Sequence, residues 1–468
     1  MTIGFDSGSF KDPDGRVFRS GPHVFRTVTP AALDRFERLQ QEGLLTALAS
    51  RGWLMPTTVE PAAAFGLDPD AFGTRVLRQD AVPVVSYGYE WTFSMLQDAA
   101  LVTLDTLQAA LERDVVLKDA PSFNILFEGT CPRLVDVLSL EPYQPGTLWA
   151  GYTQFCRSFL APLLITAHTG AAFQPLVRAH LGELPLTEAA RLLGWRRALR
   201  RGVGTHVLLQ SRLEQNFGQC TDDVKRATAP ARYPKTVFLN TVQRMRRLVA
   251  SLRAPTSSAW TDYSDCNSYS GEDRAEKARF VERVLTDVHP GVVIDLGCNT
   301  GEYSRLALRC AGHVIAVDGD AGSVDALYRA ERGSTRLTPL VSDLHNPTPA
   351  QGWELRERAS LLARLKGDFV LALALVHHLR ISAGVPLDAV VAFLVDRAPE
   401  GIMEWVDRQD PMVQQMLRLR PDVYDDYTWS RFEQALASRA EICAIAGNER
   451  ATRRLCHYKV SGRTSTRR

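Results

Sequence analysis

The stretch "VVIDLGCNTGEYSRLALRCAGHVIAVDGD", Val292 to Asp320, decides how the second half of this chain is read. Val292 to Leu296 is a continuous apolar run apart from Asp295, the pattern of a strand buried on both faces. Gly297, Asn299 and Gly301 follow, three residues able to turn the backbone tightly. Glu302 to Arg309 then reads as a helix whose N-terminus points at the same turn, where its unpaired N–H groups favour negative charge. A second apolar run ends at Asp318, 17 residues after Gly301. A carboxylate there can accept from both hydroxyls of a ribose. Strand, turn, helix and acid together predict a nucleotide site.

Downstream, strands are predicted at 292–296, 313–317, 337–342, 368–375 and 401–406, separated by helical segments. Two more strands lie either side of Gly447-Asn448. Strands alternating with helices predict a parallel α/β sheet. A dinucleotide site would need G-x-G-x-x-G. In that frame Asn299, Gly301 and Ser304 supply only one of the three glycines.

The arrangement D-x-G-x-x-x-G at Asp295, Gly297 and Gly301 resembles motif I of class I S-adenosylmethionine (SAM)-dependent methyltransferases. That family usually carries glycine where Asn299 stands, and asparagine tolerates positive φ better than most residues. The resemblance implies a doubly wound, mostly parallel seven-stranded Rossmann-like sheet over about residues 260–468. It implies SAM bound by Asp295, Gly297, Asn299, Gly301 and Asp318. Asp343 in "LVSDLHNP" stands where the family places a carboxylate near the adenine amine. "GDFVLALALVHHL" resembles its fourth strand, which delivers residues beside the reactive methyl. "TWSRFEQALASRAEICAIAG" and "RRLCHYKVS" resemble its last helix, sixth strand and reversed seventh strand. "DLGCNTG", "LALALVHHL" and "DPMVQQMLRLR" also resemble a bacterial group of NoeA-like nodulation proteins.

His377 and His378 follow the fourth strand, where imidazole could serve as general base for a hydroxyl acceptor or simply cap the next segment. The N/D-P-P-Y/F tetrapeptide of several N-methyltransferases does not occur there, which tilts the reading toward oxygen. Glu404, at the end of the fifth strand, is a candidate substrate contact, and Asp410 before Pro411 reads as a helix N-cap. Tyr263 and Tyr269 lie in the polar, breaker-rich stretch 252–273. They could cover the SAM pocket or simply pack as part of a linker.

That stretch marks the expected boundary between an N-terminal domain, 1–255, and a methyltransferase domain, 256–468. A hairpin is expected about Pro13-Asp14-Gly15, a helix over 30–52, a strand over 74–91 and a strong helix over 92–114. Two strands about a turn are expected over 123–141, and mostly helix from 154 to about 253. "LKDAPSFNILF" with the later "RLVDV" resembles the protein-kinase catalytic loop D-x-x-x-x-N and its metal-binding Asp. Asp119 would then be the base, with Asn124 and Asp136 holding magnesium. Against this, no G-x-G-x-x-G opens the domain, and only Lys11 and Lys118 precede residue 200. Arg26 or Arg75 could stand in for the phosphate-binding lysine.

With 468 residues, 45% hydrophobic and 23% charged, the composition is globular and allows two or three domains. A net charge of +2 gives no overall basic footprint for nucleic acid or an acidic membrane. Only seven of the 55 basic residues are lysine, as a GC-rich genome would produce. Eight scattered cysteines without CxxC or zinc spacing suggest a reducing compartment. The polar, glycine-rich start does not resemble a signal peptide, so a cytoplasmic protein is expected. The expected function is transfer of a methyl group from SAM to a small-molecule or saccharide acceptor, at oxygen, without metal. The alternatives are a bifunctional kinase–methyltransferase and a non-catalytic SAM-binding scaffold.

Overall fold

The structure is a computed structural model that describes residues 4–217, 233–255, 271–418, 421, 423–447 and 451–461. The chain divides into two compact units. The first is Met1–Thr256 together with Ala350–Ala359; the second is Ser257–Pro349 with Ser360–Arg468.

The first unit opens with a four-stranded antiparallel sheet of β1 (Val17–Ser20), β2 (His23–Thr27), β3 (Thr58–Pro61) and β4 (Arg75–Asp80), in the order β1-β2-β4-β3. Phe18, Phe25, Ala62, Leu67 and Val76 form its core. The hairpin expected about Pro13-Asp14-Gly15 is not the one that forms. Phe10 lies in a 3-10 helix, Ser7–Lys11, and the Asp14 N–H donates to Asp12 Oδ1, so that turn chemistry serves a loop. β1 and β2 close instead around Gly21, at φ 57°. The helix expected over 30–52 breaks at Gly43 into Pro30–Gln41 and Leu44–Ser50. The strand expected over 74–91 ends at Asp80, and a 3-10 turn forms at Gly88–Glu90.

α1 (Phe93–Leu111) begins where the Thr92 side chain accepts from the Met95 N–H, and it is buried along most of its length. β5 (Val115–Leu117) follows and pairs with β8 (Leu140–Pro142); β6 (Ile125–Glu128) and β7 (Cys131–Leu134) form a hairpin between them. α2 (Lys235–Ser251) packs on α1. Gln97 Nε2 donates to the Val249 carbonyl at 2.7 Å, and Arg246 Nη2 donates to Asp105 at 3.1 Å. The detached segment Ala350–Ala359 is stitched into this unit. Gln351 Nε2 donates to the Arg178 carbonyl at 3.1 Å, the Ser7 hydroxyl donates to the Arg356 carbonyl at 2.8 Å, and Lys11 pairs with Glu357. The Arg358 guanidinium lies 3.9 Å over the Phe123 ring.

The second unit is a seven-stranded sheet flanked by helices. Its elements are α3 (Gly271–Val288), β9 (Val292–Leu296), α4 (Glu302–Ala307), β10 (His313–Asp318), α5 (Ala321–Ala330), β11 (Leu337–Val341), β12 (Phe369–Ala372), α6 (Leu387–Val395), β13 (Glu400–Val406), α7 (Pro411–Leu417), α8 (Trp429–Ala437), β14 (Glu441–Ala446) and β15 (Arg453–Lys459). The strand order is β11-β10-β9-β12-β13-β15-β14. The first five pair in parallel, and β15 runs antiparallel to both neighbours. Counted from β9 this is 3-2-1-4-5-7-6 with the seventh strand reversed, the class I methyltransferase fold. Phe280, Val281 and Leu285 of α3 pack with Val293, Val314, Leu371 and Ile402 in the core. The order reverses between β10 and β12, with β9 at the centre. The crevice for a ligand therefore opens at the carboxyl ends of these strands.

Two close approaches fix the turn above β9. The Ser304 hydroxyl donates to Asp295 Oδ2 at 2.5 Å, tying α4 to β9. Gly301 sits at φ 81°, and a Cβ there would come 2.3 Å from Leu327 Cδ1, itself fully buried on α5. Gly301→Ala should therefore cost about 2 kcal/mol of unfolding free energy, combining left-handed strain and a clash with a packed side chain. Denaturant titration checks this. A loss within error of zero would mean that Leu327 moves freely, contrary to its burial.

Candidate functional site

Three left-handed residues shape the turn after β9: Gly297 at φ 78°, Asn299 at 50° and Gly301 at 81°. Asn299 thus adopts the conformation that glycine would take more easily. The Gly297 N–H donates to the Val317 carbonyl at 2.8 Å, folding the turn against the end of β10. Asp318 meets it there. Its Oδ2 accepts from the Asn299 N–H at 2.8 Å and its Oδ1 from the Asp320 N–H at 2.9 Å. Each oxygen keeps a lone pair for a further donor. Burial raises the Asp318 carboxyl above the ordinary range, and these N–H groups oppose that rise. Asn299 Oδ1 is buried with no partner, an acceptor in want of a donor.

Asp295 is buried beneath the turn, and burial pushes its pKa up to about 6 against the opposing Ser304 hydrogen bond. Asp343 follows β11, is exposed, and accepts from the His345 N–H at 2.8 Å. Its Cα lies 3.6 Å from where a Cβ on Gly319 would stand, close beside the end of β10. Tyr263 and Tyr269 lie outside the described residues.

The fourth strand, expected over 368–375, is shorter. β12 stops at Ala372, and Ala374 takes φ 52°. The chain then enters a π-type turn, His378–Ser382. His377 is buried, its Nδ1 has no partner, and its ring lies 4.3 Å from that of His378. Burial depresses both histidines, His378 to about 4 and His377 well below its ordinary value, helped by the Arg453 charge. Both rings are therefore neutral across the physiological range.

Glu404, read as a substrate contact, is instead buried within an ion cluster that the sequence did not suggest. Lys277 Nζ of α3 donates to Glu404 Oε2 at 2.6 Å, and Arg453 Nη1 lies 3.6 Å from Oε1. Arg453 Nε also donates to Asp410 Oδ2 at 2.8 Å, while Asp410 Oδ1 caps α7 through the Met412 N–H. Lys277 lies 127 positions from Glu404, so no local pattern could reveal the pair.

In the first unit, Asp119, Asn124 and Asp136 do converge. The Ser139 hydroxyl donates to Asp136 Oδ2 at 2.5 Å and accepts from Asn124 Nδ2 at 3.1 Å. Burial raises Asp119, with Lys118 opposing and Asp136 adding to the rise. Arg26, one of the two candidate stand-ins, donates to Asp136 Oδ1 at 2.6 Å and reaches Asp12 Oδ2 at 2.5 Å. A cation already neutralises the carboxylate that the kinase resemblance assigns to magnesium. Among the described residues, no group of three or more His, Cys, Asp or Glu could hold a metal ion.

No family model matches the chain. Among solved structures it is similar to magnesium protoporphyrin IX methyltransferase ChlM from Synechocystis PCC 6803, at 16% identity, over 42% of this chain and 90% of that one, with TM-score 0.29. N-methyltransferase NodS from Bradyrhizobium japonicum WM9 is 8% identical over 42% and 90%, with TM-score 0.30. The PH0226 protein from Pyrococcus horikoshii OT3 is 17% identical over 43% and 96%, with TM-score 0.31. The fold assignment rests on the strand order itself. Nodulation protein NoeA of Rhizobium meliloti (strain 1021) is 33% identical over 440 residues, 93% of this chain and 92% of that protein. With that identity across nearly its whole length, the chain belongs to the family of nodulation protein NoeA.

Proposed function

We propose that the second unit binds S-adenosyl-L-methionine at the turn after β9 and transfers its methyl group to a hydroxyl of a small-molecule or saccharide acceptor. The carrying observation is the Asn299–Asp318 clasp. It presents a carboxylate with spare lone pairs and an unpartnered amide oxygen at the switch point of the sheet. When bound, the cofactor supplies a methyl group on a sulfonium, a leaving group that needs no proton. Asp318 holds the ribose hydroxyls, and the glycine turn lets the backbone approach closely. Asn299 Oδ1 fits a cofactor donor. Asp343 stands where the adenine amine would come. His377 and His378, neutral beyond β12, can accept the acceptor's hydroxyl proton.

Calorimetry should show binding of S-adenosylhomocysteine and none of NAD. Asp318→Ala should weaken it by about 1.5–3 kcal/mol, the worth of charge-assisted hydrogen bonds. NAD binding without S-adenosylhomocysteine binding would overturn the reading.

Replacing both histidines by glutamine should leave cofactor affinity within a few-fold of the parent while turnover drops by about 10², the lower end for general-base catalysis, because depressed imidazoles are weak bases. A base acts when unprotonated, so the rate should rise with pH only through about 4 and stay level above it. Release of S-adenosylhomocysteine, followed across hydroxylated and amine acceptors, provides the assay. An inflection between pH 6 and 7 that the double variant lacks would place a solvated imidazole at the site, against its burial.

Phosphotransfer in the first unit is the second reading, favoured by the convergence of Asp119, Asn124 and Asp136. With Arg26 on Asp136, magnesium-ATP should leave the melting temperature of the full chain unchanged. A magnesium-dependent rise, lost in Asp136→Asn, would establish nucleotide binding there.

A further inference from the structure

Arg191 to Gln210, "RLLGWRRALRRGVGTHVLLQ", holds five arginines and no acid. The whole chain nets only +2, so this one stretch carries more positive charge than the protein has to spare. The helix Leu186–Leu193 buries Leu186, Ala189 and Leu193, and Val203 and Val207 anchor the far side. Between these anchors the chain turns outward. Trp195 is 79% exposed and Leu199 is 100% exposed, with Leu192 beside them at 44%. The turn is braced rather than loose: Arg197 donates to the carbonyls of His168 at 3.1 Å and Leu193 at 2.9 Å. Arg196 lies 5.7 Å over the Trp195 ring. Among the described residues, no carboxylate pairs with Arg191, Arg196, Arg200 or Arg201.

A held turn presenting a tryptophan and exposed leucines among arginines that meet no carboxylate is costly in water, since it leaves large apolar side chains mostly solvated. We propose that the Gly194–Gly202 turn docks on an anionic lipid surface, Trp195 and Leu199 entering the headgroup boundary while Arg191, Arg196, Arg200 and Arg201 meet the phosphates. Tryptophan favours that boundary, and arginine clusters favour anionic leaflets. Nucleic acid would use the arginines and could stack on Trp195, but it offers nothing to Leu199 or Leu192. Such attachment is peripheral, and no helix of the described residues is long and apolar enough to cross a membrane. Whole-chain charge concealed this feature, because acids elsewhere cancel it.

The test is co-sedimentation of the full chain with vesicles of phosphatidylcholine, alone or with a third replaced by phosphatidylglycerol. The chain should pellet with the anionic vesicles, remain free of the neutral ones, and be released as salt is raised. Arg196→Glu, Arg200→Glu and Arg201→Glu together should reduce binding at least about ten-fold. Trp195→Ser with Leu199→Ser should reduce it several-fold at unchanged melting temperature, since neither side chain is packed. A charge-matched control, Arg19→Glu with Arg51→Glu and Arg75→Glu, should bind as the parent does. Equal loss in the control, binding unchanged by the Trp195 and Leu199 replacements, absence of vesicle binding, or retention by duplex DNA but not by vesicles would each overturn the proposal.

Discussion

Three charged groups, Lys277, Glu404 and Asp410, are buried at one end of the second unit's sheet with Arg453 half-buried among them, and the surrounding structure has to keep them paired. Glu404 is 1% exposed on β13, held by Lys277 from α3 and by Arg453 from β15, and Arg453 in turn holds Asp410 at the start of α7. Desolvating such groups costs several kcal/mol apiece, and only mutual pairing with good geometry offsets this. Removing one member would leave an uncompensated charge, so the cluster fixes where α3, β13, β15 and α7 meet. It also shapes the electrostatics next door. The positive charges of Lys277 and Arg453 help keep His377 unprotonated, and Lys277 opposes the burial that pushes Asp295 upward.

This arrangement separates polar residues that are satisfied within the protein from polar atoms that are not. Asp295, Glu404 and Asp410 all have their partners within the protein: a hydroxyl, two cations, and a cation with a helix N-terminus. Asn299 Oδ1 and His377 Nδ1, by contrast, are buried without partners. Buried polar atoms left unsatisfied are uncommon in folded proteins and need an explanation. These two stand at the turn and at the end of the fourth strand, the two places that flank the crevice, although Ser323 Oγ and Trp405 Nε1 of the same unit are also buried without partners.

The second unit was largely legible in the sequence because its signals are local. A continuous apolar run specifies a buried strand, and the residue types of the turn after β9 specify positive φ. The left-handed geometry of Asn299 could be anticipated from its chemistry alone. Where the reading failed, the deciding forces were long-range or ambiguous. The end of β12 depends on Ala374 accepting positive φ, which no propensity foretells. Pro13-Asp14-Gly15 is turn chemistry in a loop as much as in a hairpin. Glu404 at a strand end could have faced ligand or protein, and only the position of Lys277 decides. The arginines of residues 191–201 were visible, but their exposure depends on which side of a helix its neighbours bury.

The segment Ala350–Ala359 bears on how such a protein can be divided. It lies between β11 and β12 in sequence, yet its contacts are with Ser7, Lys11, Phe123 and Arg178 of the first unit. A cut near residue 256 would therefore not yield two self-sufficient pieces. The C-terminal fragment would carry a ten-residue strap stripped of its partners, with Trp353 and Leu355 within it already exposed. The N-terminal fragment would lose the cover over Phe123. No single cut of the chain separates the two units, because Ala350–Ala359 would have to leave with the N-terminal part.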